Sequence, residues 1–360
     1  MNKLTTAGAV LLATTSLAAA GGIDRSNQFI GPLFEAGGET GSYVQLSIGK
    51  VDPTTTFSAG ASSADTILPS YISSSFAIKS DLSEKLSFGV IVDAPFGVEV
   101  NYTGTAIDPA LNPFRDPSEE PAPAPQADLS TQAITGLLRY KLNENFSVHA
   151  GIRGLSVDGY VVSTRGILTA SNDRNWGYVA GVAYERPDIA MRIAVTYNSE
   201  IDNVLSGTLN RSGIGDFTVT TPESINVEFQ TGIAADTLLF GTMRYAKYDG
   251  FNLTTTEGVN FVTFTNDTLD YSIGLGRRLS EKYSVAATYS KGEAGARPGT
   301  TPLAPTNGSD TIGLAATYTE GNMKLTAGVS YGKLGDQDVG AFQYRDASVV
   351  GFGLRLGYNF

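Results

Sequence analysis

Ala347-Ser348-Val349-Val350-Gly351-Phe352-Gly353-Leu354-Arg355-Leu356-Gly357-Tyr358-Asn359-Phe360 ends the chain. Val350, Phe352, Leu354, Leu356, Tyr358 and Phe360 share one face of an extended segment. Val349, Gly351, Gly353, Arg355, Gly357 and Asn359 share the other. Side chains alternate faces along a strand, so this is apolar-out, small-or-polar-in alternation running to the last residue. A strand with lipid on one side and a wet lumen on the other needs that pattern. An amphipathic edge strand of a soluble sheet also alternates, but rarely carries an unbroken apolar stripe into an aromatic terminus.

The same alternation recurs along the chain in pairs joined by short turns. Val44, Leu46 and Ile48 alternate with Gln45, Ser47 and Gly49. Ile72, Phe76 and Ile78 lead over residues 81–85 into Leu86, Phe88, Val90 and Val92. Ile134, Leu138, Tyr140 and Leu142 turn at Asn143-Glu144-Asn145 into Phe146, Val148, Ala150 and Ile152. Trp176, Tyr178, Val182 and Tyr184 turn at Arg186-Pro187-Asp188 into Ile189, Met191, Ile193, Val195 and Tyr197. Turns near Ala235-Asp236, at Ser280-Glu281-Lys282 and at Glu320-Gly321-Asn322 join three further pairs.

The count is about fourteen strands, an even number, with both chain ends on the side of the short turns. Long connections then fall at residues 50–65, 97–129, 157–173, 199–216, 249–267, 292–308 and 333–345. The second of these holds a polyproline-like stretch, residues 117–125, which cannot join a ladder. The reading is an all-β fold: a transmembrane antiparallel up-and-down β-barrel over residues 41–360. Its last strand pairs with the first around Val44 to Ile48. A secreted β-sandwich or propeller explains the period but not the short-long rhythm, and no propeller repeat is evident.

Residues 1–20 read as a secretory signal: Lys3, an apolar stretch from Leu4 to Leu17, and Ala18-Ala19-Ala20 for cleavage near Ala20. Residues 21–40 are left as a short N-terminal hatch-like segment in which Gly31-Pro32-Leu33-Phe34-Glu35-Ala36-Gly37-Gly38 forms a reduced plug. The chain has no cysteine, which suits an exported protein whose closed sheet needs no disulfide. Its 25 basic and 36 acidic residues give −11, or −12 without Lys3. That acidity disfavours nucleic acid or anionic lipid as a partner. Glycine, 41 of 360 residues, exceeds the usual ~7% and suits a curved, closed sheet.

With the apolar set facing lipid, the other set faces the lumen. Arg139, Lys141, Arg153, Arg192, Arg278 and Arg355 then point inward, as do Asp93, Glu185, Glu228 and Asp270, with Gln132, Asn198 and Gln230 alongside; Arg244 joins them. Charges of both signs brace the wall as ion pairs, or one or two arginines hold a ligand carboxylate by bidentate hydrogen bonds. His149, the single histidine, points inward near the short-turn end. It has no second His or Cys for a metal and lies far from the outer rim where a hydrolase would need a serine beside it. The expectation is a protein that is not an enzyme and uses no cofactor or metal.

Asp93-Ala94-Pro95-Phe96-Gly97 interrupts a good strand, Leu86 to Val92. Proline removes a ladder donor and is confined to edges, strand starts and bulges. Either the strand ends there, or Pro95 kinks it and opens a gap in the wall.

These features resemble the long-chain fatty-acid and hydrocarbon transporters of the outer membrane, the FadL/TodX group. The strand count agrees with that family's barrel, and Pro95-Phe96-Gly97 is similar to the kink in its third strand. Tyr197-Asn198-Ser199-Glu200-Ile201 resembles its segment ending strand seven. Thr221-Pro222-Glu223-Ser224 with Val227 to Gly232, and then Leu239 to Tyr245, resemble the stretch from strand eight onward. The terminal Phe360, with Tyr358 two residues earlier, is similar to the C-terminal signal of outer-membrane proteins.

The resemblance implies outer-membrane transport of long-chain fatty acids or hydrocarbons, captured by external loops and released sideways at the kink. Pro95, Phe96, Gly97, Arg139, Arg153, Arg192 and Arg244 are the residues singled out for ligand and transport. A hydrophobic small molecule, outer-membrane lipid and the barrel-assembly machinery, the last through Phe360, are the implied partners. The alternative is a general diffusion porin. The family's hatch carries an Asn-Pro-Ala motif that residues 21–40 lack.

Overall fold

The computed structural model describes residues 23–59, 62–64, 66–102, 125–163, 165–294 and 301–360. The leader expected at residues 1–20, residues 21 and 22, and nearly all of the proline-rich stretch up to residue 124 lie outside the described residues.

Fourteen antiparallel strands close into a barrel. They are β1 (Ser42–Ala59), β2 (Tyr71–Asp81), β3 (Leu86–Asp93, resumed as Gly97–Asn101), β4 (Gln126–Lys141) and β5 (Phe146–Ser163). Next come β6 (Gly166–Ser171 and Asn175–Arg186), β7 (Met191–Asn198 and Ile201–Leu209), β8 (Ser212–Thr221 and Ser224–Ala234) and β9 (Thr237–Ala246). The circuit ends with β10 (Thr268–Arg278), β11 (Tyr283–Gly292), β12 (Ser309–Glu320), β13 (Met323–Leu334) and β14 (Phe342–Asn359). Each strand pairs with the next, and β14 closes onto β1 with Val44 opposite Tyr358 and Ile48 opposite Leu354. The last residue is tied in: Phe360 N–H donates to Ser42 O, and Thr40 N–H to Phe360 O, both at 2.9 Å. Closure matters because an open edge would leave a row of unpaired backbone groups.

Every strand contributes to an exposed apolar belt, from Leu46 on β1 and Phe76 on β2 through Ile273 on β10 to Leu354 on β14, the last 52% exposed. A soluble monomer rarely exposes a continuous apolar surface above a few hundred Å², so the belt requires an apolar surrounding. Tyrosines mark both rims. On β12, Asp310 accepts from Tyr289 at one end, and Glu320 accepts from Tyr318 at 2.6 Å at the other. Lys291 and Lys282 pair with the same two acids. Ten residues of strand span ~33 Å, which a tilt of about 40° reduces to a belt ~25 Å tall.

The strands run past the belt at the end away from the termini, and there their polarity inverts. On β1 the outward side chains become Lys50, Thr54 and Thr56, while Val51, Phe57 and Ala59 turn inward and are buried. On β5 the inward column passes from His149 and Arg153 to Leu155 and Val157. This corrects two sequence expectations. Residues 50–59, 97–101, 126–129, 157–163, 166–171, 201–209 and 212–216, all assigned to long connections, are strand, because an apolar-in pattern does not continue the apolar-out one. Gln132, expected in the lumen, is exposed on the outer face of β4 with Leu138 and Tyr140; Ala133, Thr135 and Arg139 face inward.

The closing register is testable in a chain without native thiols. A short dithiol reagent should join Val44→Cys to Tyr358→Cys in the folded protein, read as an altered gel mobility. Val44→Cys with Asn359→Cys, one residue out of register and on the opposite face, should not be joined.

Candidate functional site

The β2–β3 ladder extends only from Phe76 opposite Val92 to Asp81 opposite Ser87. Beyond it the strand pairing of Tyr71–Ser75 is with β1 and that of Gly97–Asn101 with β4, and on the β2 side Asn101 N–H donates to Ile67 O at 2.9 Å. Pro95 lies at the break, where it brings no N–H and a fixed φ. The freed backbone groups must find other partners, and they do. Phe96 N–H donates to Thr131 Oγ1 at 3.0 Å, and the same hydroxyl donates to Phe96 O at 2.6 Å. Pro95 O accepts from Arg25 N–H at 2.8 Å, and Gly97 N–H donates to Ile23 O at 2.7 Å. Residues 23–26 thus run as a short strand against the displaced part of β3, with Asp24 bridging Phe96.

From there the N-terminal segment follows the inward face of β4 to β9. Asp24 meets Arg244 at 3.2 Å with both side chains fully buried. Arg244 also donates to Ser224 at 2.6 Å and to Asn226 at 3.1 Å. Burial pushes the Asp24 carboxyl above its ordinary range, and the Arg244 charge pulls against that. Arg153 donates to Gln28, to Asn198 at 2.9 Å and to Thr135 at 2.8 Å. Ile30 N–H donates to Glu228 at 2.9 Å. A 3₁₀ turn, Gly31–Phe34, follows. The guanidinium groups of Arg139 and Arg192 lie over the Phe34 ring, 4.5 and 4.7 Å from its centroid. His149 bonds Thr196 at 3.0 Å and packs edge-on against Phe34.

Two cavities flank this segment. The outer one holds ≈ 1530 Å³ of empty space, part of it open to solvent, between side chains such as Phe96, Val98, Leu129, Leu205 and Phe264. External loops roof it with aromatic clusters. On one side Phe251 stacks on Phe264, and Tyr248 meets both rings edge-on. On the other, the Tyr102 hydroxyl donates to Pro302 O at 2.7 Å and lies 2.6 Å from that of Tyr344. Burial holds the Tyr102 phenol protonated well above its ordinary pKa. The inner cavity, ≈ 1500 Å³ of empty space that is also partly open to solvent, is lined by short side chains of the opposite wall, among them Ser47, Ser73, Ser75, Ala286 and Ser330, and by Asp93 and Arg192.

Of the residues singled out from sequence, Phe96 lines the outer cavity and Arg192 the inner. Pro95 and Gly97 hold the N-terminal strand, Arg153 and Arg244 hold its side chains, and Arg139 joins Arg192 around Phe34. The residue that sequence reasoning missed is Arg25, which touches both cavities. Its segment carries no periodic pattern to read.

Asp24→Ala leaves Arg244 buried without its counter-charge and should cost about 3–5 kcal/mol, measured by denaturant unfolding in detergent. The same variant should admit a protease to residues 23–30, which the intact protein protects. Thr131→Val strands both backbone groups of Phe96 and should cost about 1–3 kcal/mol in the same assay.

No family model matches the sequence, and no curated protein does. Solved structures do. A Pseudomonas aeruginosa FadL homologue aligns with TM-score 0.69 at 13% identity over 92% of each chain. The Pseudomonas putida toluene transporter TodX aligns with TM-score 0.65 at 13% identity, over 95% of this chain and 98% of that one. The Ralstonia pickettii toluene transporter TbuX aligns with TM-score 0.61 at 12% identity over 91% of each. At such identity the likeness is one of architecture: the chain has the fold that its resemblance to the FadL/TodX group implied.

Proposed function

We propose that this chain is an outer-membrane channel for hydrophobic small molecules, long-chain fatty acids or hydrocarbons. They collect in the outer cavity and leave sideways between β2 and β3. The observation that carries this reading is that an apolar cavity abuts the stretch of wall where backbone pairing is missing. Tyr71 stands on one unpaired edge, Phe96 lies at the break in the other, and both line that cavity.

Supporting observations come from the wall and the lumen. A belt ~25 Å tall, rimmed by tyrosines, matches the outward face of an outer-membrane barrel. A nonpolar solute moving from the outer cavity into the serine-lined inner cavity would lose about 25 cal/mol per Å² of reexposed apolar surface. Leaving through the gap into lipid avoids that loss. Residues 23–34 act in this reading as the plug. They lie against the buried Arg153, Arg244 and Glu228, where a general diffusion porin would need water-facing charges. The solved TodX and TbuX structures are described as toluene transporters, a ligand class that suits the apolar lining. The C-terminal strand ending in Phe360 supplies the feature by which the barrel-assembly machinery would engage the chain.

Ser73→Cys and Ala94→Cys place the chain's only thiols on the two unpaired edges. Joining them with a cleavable dithiol reagent should abolish uptake of toluene or a fluorescent fatty acid into liposomes, and reduction should restore it. Undiminished uptake by the joined protein would overturn the lateral route. In planar bilayers the unmodified protein should lack the large, steady conductance of a porin.

A further inference from the structure

We propose that Arg25 is the latch of the side opening and that the carboxylate of an anionic amphiphile releases it; this rests on the lateral route proposed above. Arg25 Nε donates to Gly97 O at 2.8 Å. Its guanidinium carbon lies 3.3 Å from the centroid of the Tyr71 ring. Gly97 belongs to the displaced part of β3 and Tyr71 to the unpaired part of β2. One side chain therefore ties together two strand edges that no β2–β3 ladder joins at that level. Its backbone N–H, bonded to Pro95 O, fixes where the side chain starts. Gly97 leaves the space it occupies: a Cβ there would lie 3.1 Å from Arg25 Cγ and 3.2 Å from Nε.

The chemistry of the outer cavity makes this latch selective. Arg25 is the single basic residue among its described lining residues, beside the acids Asp24, Glu99 and Asp128. A carboxylate entering that space is repelled by the acids and finds one cation. The latch holds a neutral carbonyl and an aromatic face. A carboxylate meets the guanidinium fork with two acceptors and an opposite charge, whereas Gly97 O takes one donor and carries no net charge. The headgroup thus takes the guanidinium from Gly97 and Tyr71, and the gap loses its tie while the apolar tail lies beside it. A neutral hydrocarbon offers nothing that competes for Arg25, so it waits for the latch to open by itself.

The test uses the full chain in liposomes and compares decane with decanoate at pH 8, where the acid is ionised. The intact protein should pass decanoate faster by about tenfold, the size that one charge-assisted hydrogen bond supports. Arg25→Gln should bring the two rates within about twofold, chiefly by raising that of decane. Tyr71→Leu keeps the cation but removes the ring and should also raise decane passage. The heat-dependent gel mobility of a folded barrel controls for misfolding in both variants. A decanoate-to-decane ratio unchanged in both variants overturns the latch. If the Ser73–Ala94 cross-link stops passage while that ratio stays unchanged, the latch alone fails. If the cross-linked protein still transports, the lateral route fails and the latch with it.

Discussion

In a closed sheet each strand depends on its neighbours for every backbone hydrogen bond, and the architecture follows from how this chain meets that demand. Around most of the circuit the ladders are continuous, and β14 returns to β1 in register. At Ala94–Phe96 the wall cannot meet the demand by itself, because proline supplies no donor. The deficit is made up from inside. Residues 23–26 bond Pro95 O and Gly97 N–H on the side that β2 leaves open, and the hydroxyl of Thr131, on β4, bonds both backbone groups of Phe96. The N-terminal segment and the kink therefore need each other, and the position of one determines that of the other.

The lumen is built unequally to receive that segment. From β4 to β9 the inward residues are long and polar: Arg139, Arg153, Arg192, Glu228 and Arg244, all buried. Long charged groups survive burial only when paired and hydrogen-bonded, and residues 24–34 supply many of the partners. From β10 around to β2 many inward residues at the level of the inner cavity are small, such as Ser272, Ala286, Gly313, Gly328, Gly351 and Ser75, with Lys79 and Arg355 among the exceptions. Short side chains leave space, and the inner cavity occupies it.

The same strands serve two environments along their length. Within the belt the outer face is apolar and the inner face polar; beyond it the two exchange, and the interior becomes an ordinary hydrophobic core. That exchange places an apolar cavity directly above a polar lumen, with the segment bearing Arg25 between them. An apolar molecule in the upper cavity meets polar surface below and, at one side, the stretch where β2 and β3 do not pair.

The strand count, the short turns and the outward stripe were legible in the sequence, because side-chain alternation is a local property and Val350 to Phe360 display it without help. Pro95 was legible as a break for the same reason: its missing donor is written into the residue itself. The inward direction of the buried arginines also followed from alternation, but their partners did not, since Asp24 and Arg244 lie 220 residues apart and meet only when the barrel closes. The inverted strands beyond the belt were hidden because apolar-in and apolar-out strands share a period, and only packing tells which side is covered. Arg25 had no local signal at all. Its place between Tyr71 and Gly97 arises because the wall breaks there and the segment that precedes the first strand lies against the break, 72 residues before Gly97.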